Sequence, residues 1–325
     1  MQLFDSLIRP IFLYAVEFWL PHIIPKKGLE NCECLLKFWT NFQPEILNQK
    51  LCRMLLGVHK KCSILAVPGE LGRYPVLIPA LKMCLKYQHS VSSLDSNSLA
   101  YRAMSDMRSN PNEDSWYTRV EKIKTVLNLK RFYGKTEIVG NQIDLALKSK
   151  FDRFFLDQIN EKKFGLDGMD HNKLRLYNTL KGSFKQEPYI NNIKSRNQRV
   201  WLTRYRTSAH NLRVESGRYT YPVTPLLQRT CSYCNSGECD TELHAMLQCE
   251  TFKLKRQCFQ SRVSAFFPTY PYLTVEQQLA TILCPSTTDL AKCVSKYFGI
   301  ISNARKQIDL GFKKEDLQLY IQHKV

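Results

Sequence analysis

Along most of the chain, apolar residues return every three or four positions, the repeat of a helix that buries one face. Val76, Leu77, Ala80, Leu81, Cys84 and Leu85 form one such stripe, entered through Tyr74-Pro75. Ile46, Leu47, Leu51, Met54, Leu55 and Val58 form another, and Leu290, Cys293, Val294, Tyr297, Phe298 and Ile301 a third. Strand-like alternation is scarce, so the pattern predicts a mainly α chain. The stretch 3–24 is greasy enough to imitate a signal or a membrane span. However, Asp5, Arg9, Glu17 and two prolines interrupt it, and it has no small-residue cleavage site. Phe4, Leu7, Ile8, Ile11, Ala15, Val16 and Trp19 recur at helical spacing, which predicts a packed helix bent or started at Pro10.

Polar seams separate the helical stretches. Residues 90–111 are rich in Ser and Asn, and 165–170 and 186–188 are turn-prone. A chain of 325 residues accommodates one large or two to three small domains. The expected organisation is a helical region over 1–92, a helical connector over 93–190, a basic metal-binding module over 191–255 and a helical tail over 256–325. The connector carries no chemical signal.

Charge changes this picture. The 47 Lys and Arg against 29 Asp and Glu leave a net +18, a surplus that usually marks a polyanionic partner. Twelve cysteines fall short of a disulfide scaffold. With no targeting segment read at the N-terminus, the expected setting is a reducing one, nucleus or cytoplasm, with no membrane partner. The cysteines are then thiols or metal ligands.

The strongest local signal is Cys231-Ser-Tyr-Cys234, nine residues, His244, four residues, Cys249. Three thiols and an imidazole suit one tetrahedral zinc ion, and four protein ligands leave no open position for a reactive water. The expectation is one structural Zn2+ held by Cys231, Cys234, His244 and Cys249, with the second pair on a helix or its end, capped at Asp240 or Thr241. The bland alternative is a set of buried cysteines beside an unrelated histidine. Cys52, Cys62, Cys84, Cys284 and Cys293 do sit in greasy surroundings. Cys239 lies between the pairs and is an alternative to His244, although the His-x4-Cys half repeats a known knuckle spacing.

Just before this cluster, 181–218 carries nine Lys and Arg against Glu187 and Glu215, with Trp201, Tyr205 and Tyr219 interleaved. Arginine forks onto phosphate and aromatic rings stack on unpaired bases, so Arg196, Arg199, Arg204, Arg206, Arg213 and Arg218 are candidate nucleic-acid contacts. On a helix over 194–206, Arg196, Arg199 and Arg206 share a sector of about 80°, while Trp201, Leu202 and Tyr205 occupy a separate one that would pack inward. The alternative is a solvated helix face. Catalytic signals are weak: no adjacent Asp pair, no Asp-x-Asp, and no phosphate-loop, hydrolase-elbow, zincin or deaminase signature. Lone acids such as Glu17 and Glu70 read as structural.

Three segments resemble one family. LFDSLIRPIFLYAVEFW (3–19) and LCRMLLGVHKKCSILAVPGELGRYPVLIPALKMCLKYQHSV (51–91) are similar to the thumb region of LINE-type, non-LTR retrotransposon reverse transcriptases. RTSAHNLRVESGRYT (206–220), leading into CSYC and HAMLQC (231–249), resembles the approach to their C-terminal zinc knuckle. Together these cover about a third of the chain, in order. The resemblance implies a thumb-like helical bundle and a zinc-knuckle module. It also implies loss of the fingers and palm, whose Phe/Tyr-Ala-Asp-Asp motif is missing here. Cys239 departs from the family, which usually has a polar residue there. The resulting expectation is a non-catalytic fragment that binds RNA or single-stranded DNA. The alternatives are the C-terminal part of an RNA-directed DNA polymerase working with an upstream palm and fingers polypeptide, and an inert remnant or protein-interaction fragment.

Overall fold

A computed structural model describes residues 3–129, 136–163 and 172–311. The turn expected at 165–170 and the tail beyond 311 lie outside these residues. The described chain is mainly helical, and its only strand-like feature is one isolated antiparallel bridge, Thr230 with Cys239. None of the described helices is long and apolar enough to cross a membrane. Two compact units result: Met1–Leu51 with Arg73–Gln158, and Cys52–Gly72 with Ile159–Val325.

The helices are α1 (Arg9–Leu13), α2 (Val16–Ile23), α3 (Cys32–Lys37), α4 (Gln43–Leu56), α5 (Ala66–Leu71), α6 (Leu77–Ser92), α7 (Leu99–Ser109), α8 (Trp116–Val126), α9 (Thr136–Asn160), α10 (Arg175–Leu180), α11 (Pro188–Asn192), α12 (Arg196–Arg206), α13 (Arg213–Ser216), α14 (Lys253–Phe266), α15 (Val275–Leu283) and α16 (Thr288–Asp309). Residue 92 is the last of α6, whereas 190 and 255 fall inside α11 and α14.

In the first unit the α6 stripe is buried throughout, and Val16 and Leu20 of α2 join the same core. Short side-chain caps define the starts of the neighbouring helices: Asn31 for α3, Ser98 for α7 and Ser115 for α8. The polar seam 90–111 thus contains a helix, started by its own Ser98. The expected N-terminal helix is broken elsewhere than at Pro10. Pro10 sits in the first turn of α1, where its missing N–H costs nothing, and the break is at Ala15, whose φ is +53°. Leu7, Ile8 and Ile11 of the expected stripe are exposed, and only Val16 of that set is buried.

Helix α4 also turns its pattern over. Ile46, Leu47 and Met54 are exposed, while Glu45, Asn48, Gln49, Cys52 and Leu56 are buried. The reason is a long-range acceptor. Glu45 Oε2 accepts the backbone N–H of Val76 at the start of α6 (2.7 Å), and Oε1 accepts from the amides of Asn48 and Gln49. Asn48 Oδ1 in turn accepts from Arg73 Nε (2.7 Å), and Arg73 forks onto Asp5.

The core of the second unit forms where α12 meets α16. Gly299 lets them approach: a Cβ there would lie 2.8 Å from the Trp201 ring. Leu202 and Tyr205 of α12 are buried with Leu290, Val294, Tyr297, Phe298 and Ile301 of α16, and Trp201 packs partly buried against them. Of the five cysteines read as greasy, Cys52, Cys62 and Cys84 are buried, Cys293 is half-buried and Cys284 is exposed.

Candidate metal centre

Local sequence builds the site in two pieces. Residues 230–239 fold back on themselves, with Cys231 N–H donating to Glu238 O and Asp240 N–H to Arg229 O, both at 2.8 Å. Gly237, at φ +71°, supplies the left-handed residue that this turn requires. Thr241 Oγ1 then accepts the N–H of His244 (3.2 Å), the first residue of the single wide turn His244–Gln248. Cys249 closes it by donating its N–H to His244 O (2.8 Å).

The four nominated side chains converge. Their ligand atoms all lie within 4.8 Å of one another, with Cys231 Sγ to Cys249 Sγ at 3.9 Å and Cys234 Sγ to His244 Nε2 at 3.4 Å. Bonds of about 2.3 Å to sulfur and 2.0 Å to nitrogen in a tetrahedron give edges of about 3.5–3.8 Å, so one ion fits between them. Cys231, His244 and Cys249 are buried and Cys234 is half-buried. Among the described residues, no other group of three or more His, Cys, Asp or Glu gathers its ligand atoms in this way.

Electrostatics points the same way. The Cys231 thiol is held well below its ordinary range, chiefly because Cys249 donates a hydrogen bond to it, against the cost of burial and with help from His244. The same thiolate raises His244 to about 9, with burial opposing and Glu238 assisting. Cys234 is lowered too, the hydroxyl and N–H of Ser236 outweighing burial. To ligate a divalent cation all three thiols and His244 Nε2 must be deprotonated, so metal binding here would release the protons held on Cys249 and His244.

Sequence reading missed Glu238. Its carboxylate accepts from His244 Nδ1 at 2.8 Å, which fixes the tautomer and turns Nε2 towards Cys234. The spacing carries no warning of this, because an acid between two ligand pairs is indistinguishable from a solvated loop residue. Cys239 is not part of the cluster: its Sγ points to the carbonyls of Leu226 and Leu227. Behind the loop, Arg305 of α16 binds Asp240 and lies 4.2 Å over the Tyr233 ring, and Tyr233 Oη donates to Asp309.

The six nominated arginines do not form one exposed ridge. Arg206, expected on the solvent-facing sector of α12, is fully buried. It forks onto Glu70 (Nε to Oε2 2.9 Å, Nη2 to Oε1 3.0 Å), pairs with Glu187 at 2.7 Å and donates to Leu283 O. Glu70 is correspondingly structural, as its isolation in the sequence implied. Arg199 is half-buried and donates to Ile190 O and Ile193 O at the end of α11. Arg204 donates to Gly57 O and lies over Trp201, and Arg218 pairs with Glu215. Only Arg196 and Arg213 are exposed, and each also touches a carbonyl, Met54 O and Thr230 O.

Compared with protein-family models, with curated proteins and with solved structures, the chain matches none.

Proposed function

We propose that Cys231, Cys234, His244 and Cys249 hold one structural zinc ion, and that the unit ordered by it binds RNA or single-stranded DNA without catalysing a reaction. The observation that carries the reading is the convergence of three sulfurs and one nitrogen to within 4.8 Å of one another. Soft sulfur with imidazole selects zinc over magnesium, calcium or manganese, and four protein ligands leave no site for substrate. The net charge of +18, the exposed Arg196 and Arg213 and the resemblance to the zinc-knuckle end of LINE-type reverse transcriptases support the nucleic-acid half.

The test is metal analysis of the purified full chain together with its Cys234→Ser variant. One equivalent of zinc is expected in the parent and none in the variant. The parent should shift a fluorescent single-stranded oligonucleotide at low salt and should not extend a primer. A full zinc equivalent retained by Cys234→Ser would overturn the ligand assignment, and template-dependent extension would overturn the non-catalytic reading.

A further inference from the structure

A cavity of about 330 Å3 opens within the second unit, away from the four metal ligands. Its walls bring together Lys60 and Lys61 from the turn after α4, Lys173 from just before α10, and Tyr219. None of the three lysines was nominated from the sequence, because Lys173 lies more than a hundred residues from Lys60 and Lys61 along the chain. The Tyr219 ring gathers two of them. Lys61 Nζ sits 3.8 Å from the ring centroid and Lys173 Nζ 5.6 Å, and Lys173 also donates to Tyr219 Oη at 3.2 Å and to Lys61 O at 2.6 Å. Like charges are thus held side by side. Among the described residues none of the three lysines has a carboxylate within ion-pair distance.

The rest of the lining is as one-sided. His59 Nδ1 accepts the N–H of Lys61 (3.1 Å), so the neutral ring carries its proton on Nε2 and presents a donor. Because Lys173 donates to Tyr219 Oη, the phenol proton is free to be given outward. The one lining carboxylate, Glu215, is buried and consumed by Arg175 (2.8 Å) and Arg218 (2.9 Å). His210 on the floor is spent as well, with Nε2 against Glu242 and Nδ1 accepting from Leu212 N–H. The proton affinity of His59 is lowered, first by burial and then by Lys173, Arg204 and Lys61, as a concentrated positive potential requires.

We propose that this cavity is a phosphate-binding site, in which Lys60, Lys61 and Lys173 neutralise the anion and His59 and Tyr219 donate to its oxygens. A tetrahedral oxyanion offers only acceptors, which matches the donors that the three lysines, His59 and Tyr219 present. Carboxylates share the charge but not the number of oxygens this many convergent donors would satisfy. The phosphate is either free or part of a nucleic-acid backbone. The site needs neither the zinc ion nor the exposed arginines.

The experiment is calorimetric titration of the full chain with tripolyphosphate at low salt. Lys61→Gln with Lys173→Gln should weaken binding by about ten-fold or more, as expected for loss of two charge-assisted contacts. A control with Lys253→Gln and Lys292→Gln, which removes the same charge from exposed surface ion pairs of the same unit, should stay within about two-fold. Equal losses in both pairs, or parent-like binding by the Lys61/Lys173 variant, would overturn the proposal. If that variant proves misfolded by circular dichroism, Lys60→Gln takes its place, since Lys60 is exposed; it should weaken binding by about three-fold or more, and no change would overturn the site. Competition between tripolyphosphate and a single-stranded oligonucleotide identifies a backbone site. Tripolyphosphate binding without competition identifies a free-phosphate site. Tripolyphosphate binding with no oligonucleotide binding at all would sink the nucleic-acid reading and leave the phosphate site standing.

Discussion

The loop 230–249 and helix α12 were both nominated from the sequence, one for metal and one for nucleic acid, and the fold treats them oppositely. In the loop the four nominated side chains converge, their ligand atoms within 4.8 Å of one another. Along α12 the nominated arginines turn to internal acceptors: carbonyls at 54, 57, 190 and 193, and the carboxylates of Glu70 and Glu187. The difference is one of range. A metal site made from nineteen consecutive residues writes its geometry into local spacing. The fate of an arginine depends on whether an acid far along the chain arrives beside it, and Glu70 is 136 residues from Arg206.

The largest effect expected from breaking this comparison is on the loop. Structural zinc contributes roughly 10–16 kcal/mol of apparent binding free energy in small metal-folded modules at neutral pH. Chelation or Cys249→Ser should therefore unfold the loop and expose Tyr233, which packs on Arg305 and hydrogen-bonds Asp309. Cys239→Ser should leave both zinc content and tyrosine environment unchanged, because its Sγ lies outside the cluster. Loss of zinc from Cys239→Ser would mean that the four-residue set is wrong.

The second effect tests α12. Removing one partner of a buried charge pair typically costs about 3–5 kcal/mol, because the other charge is left desolvated and alone. Arg206→Ala strands Glu70, which is itself fully buried. Urea unfolding should show a loss of that order, and zinc content should stay at one equivalent under native conditions. A variant as stable as the parent but weaker in nucleic-acid binding would return Arg206 to the surface role that its spacing suggested.

These cases show what was legible. The α6 and α16 stripes could be read because each apolar stripe packs on other apolar surface, so the helical repeat alone identifies the buried face. Helix α12 was legible as a helix with Leu202 and Tyr205 inward, and the clustering of Cys231, Cys234, His244 and Cys249 was legible by residue type and spacing. Hidden were Glu238, which shares no pattern with the ligands, and the buried polar face of α4. There the apolar positions 46, 47 and 54 look outward because Glu45 is claimed by the N–H of Val76 and Asn48 by Arg73, with Gln49 donating to Glu45, a demand that no window around α4 contains.

That polar face yields the third prediction, on pH. Burial raises Glu45 to about 7, even though the Val76 N–H and the amides of Asn48 and Gln49 favour its charged form. An unfolded glutamate titrates near about 4.3, so the folded state binds the proton more tightly and stability falls as pH rises through the interval from about 4.3 to 7. Above that interval the penalty is complete, at about 4 kcal/mol; below it the penalty is absent. Glu45→Gln removes this titration. The stability of the parent minus that of Glu45→Gln, measured by urea unfolding from pH 5 to 8, should decrease with pH and level off near 7. A difference that stays flat from pH 5 to 8 would show that the hydrogen bonds, not burial, set the proton affinity of Glu45.

The smallest effect sharpens the comparison where α12 and its surroundings still face solvent. Arg196 and Arg213 are exposed and each holds only one backbone carbonyl, at 2.9 and 3.4 Å. A carbonyl contact leaves most of the guanidinium donors of an arginine unused, so either side chain can turn to a phosphate at little cost. If each neutralises one phosphate of a single strand, Arg196→Ala with Arg213→Ala should flatten the slope of log K against log salt by about 1.4, at about 0.7 per contact. The loss should be similar for every sequence tested, since phosphate contacts position a strand without reading it. Stability should change by less than about 1 kcal/mol and zinc not at all, as neither residue is a ligand or part of a buried pair. Anisotropy titrations at four or five salt concentrations measure the slope directly. An unchanged slope in the folded, zinc-loaded variant would mean that none of the six nominated arginines binds phosphate through its exposed face. The strand would then have to be carried by lysines such as Lys60, Lys61 and Lys173.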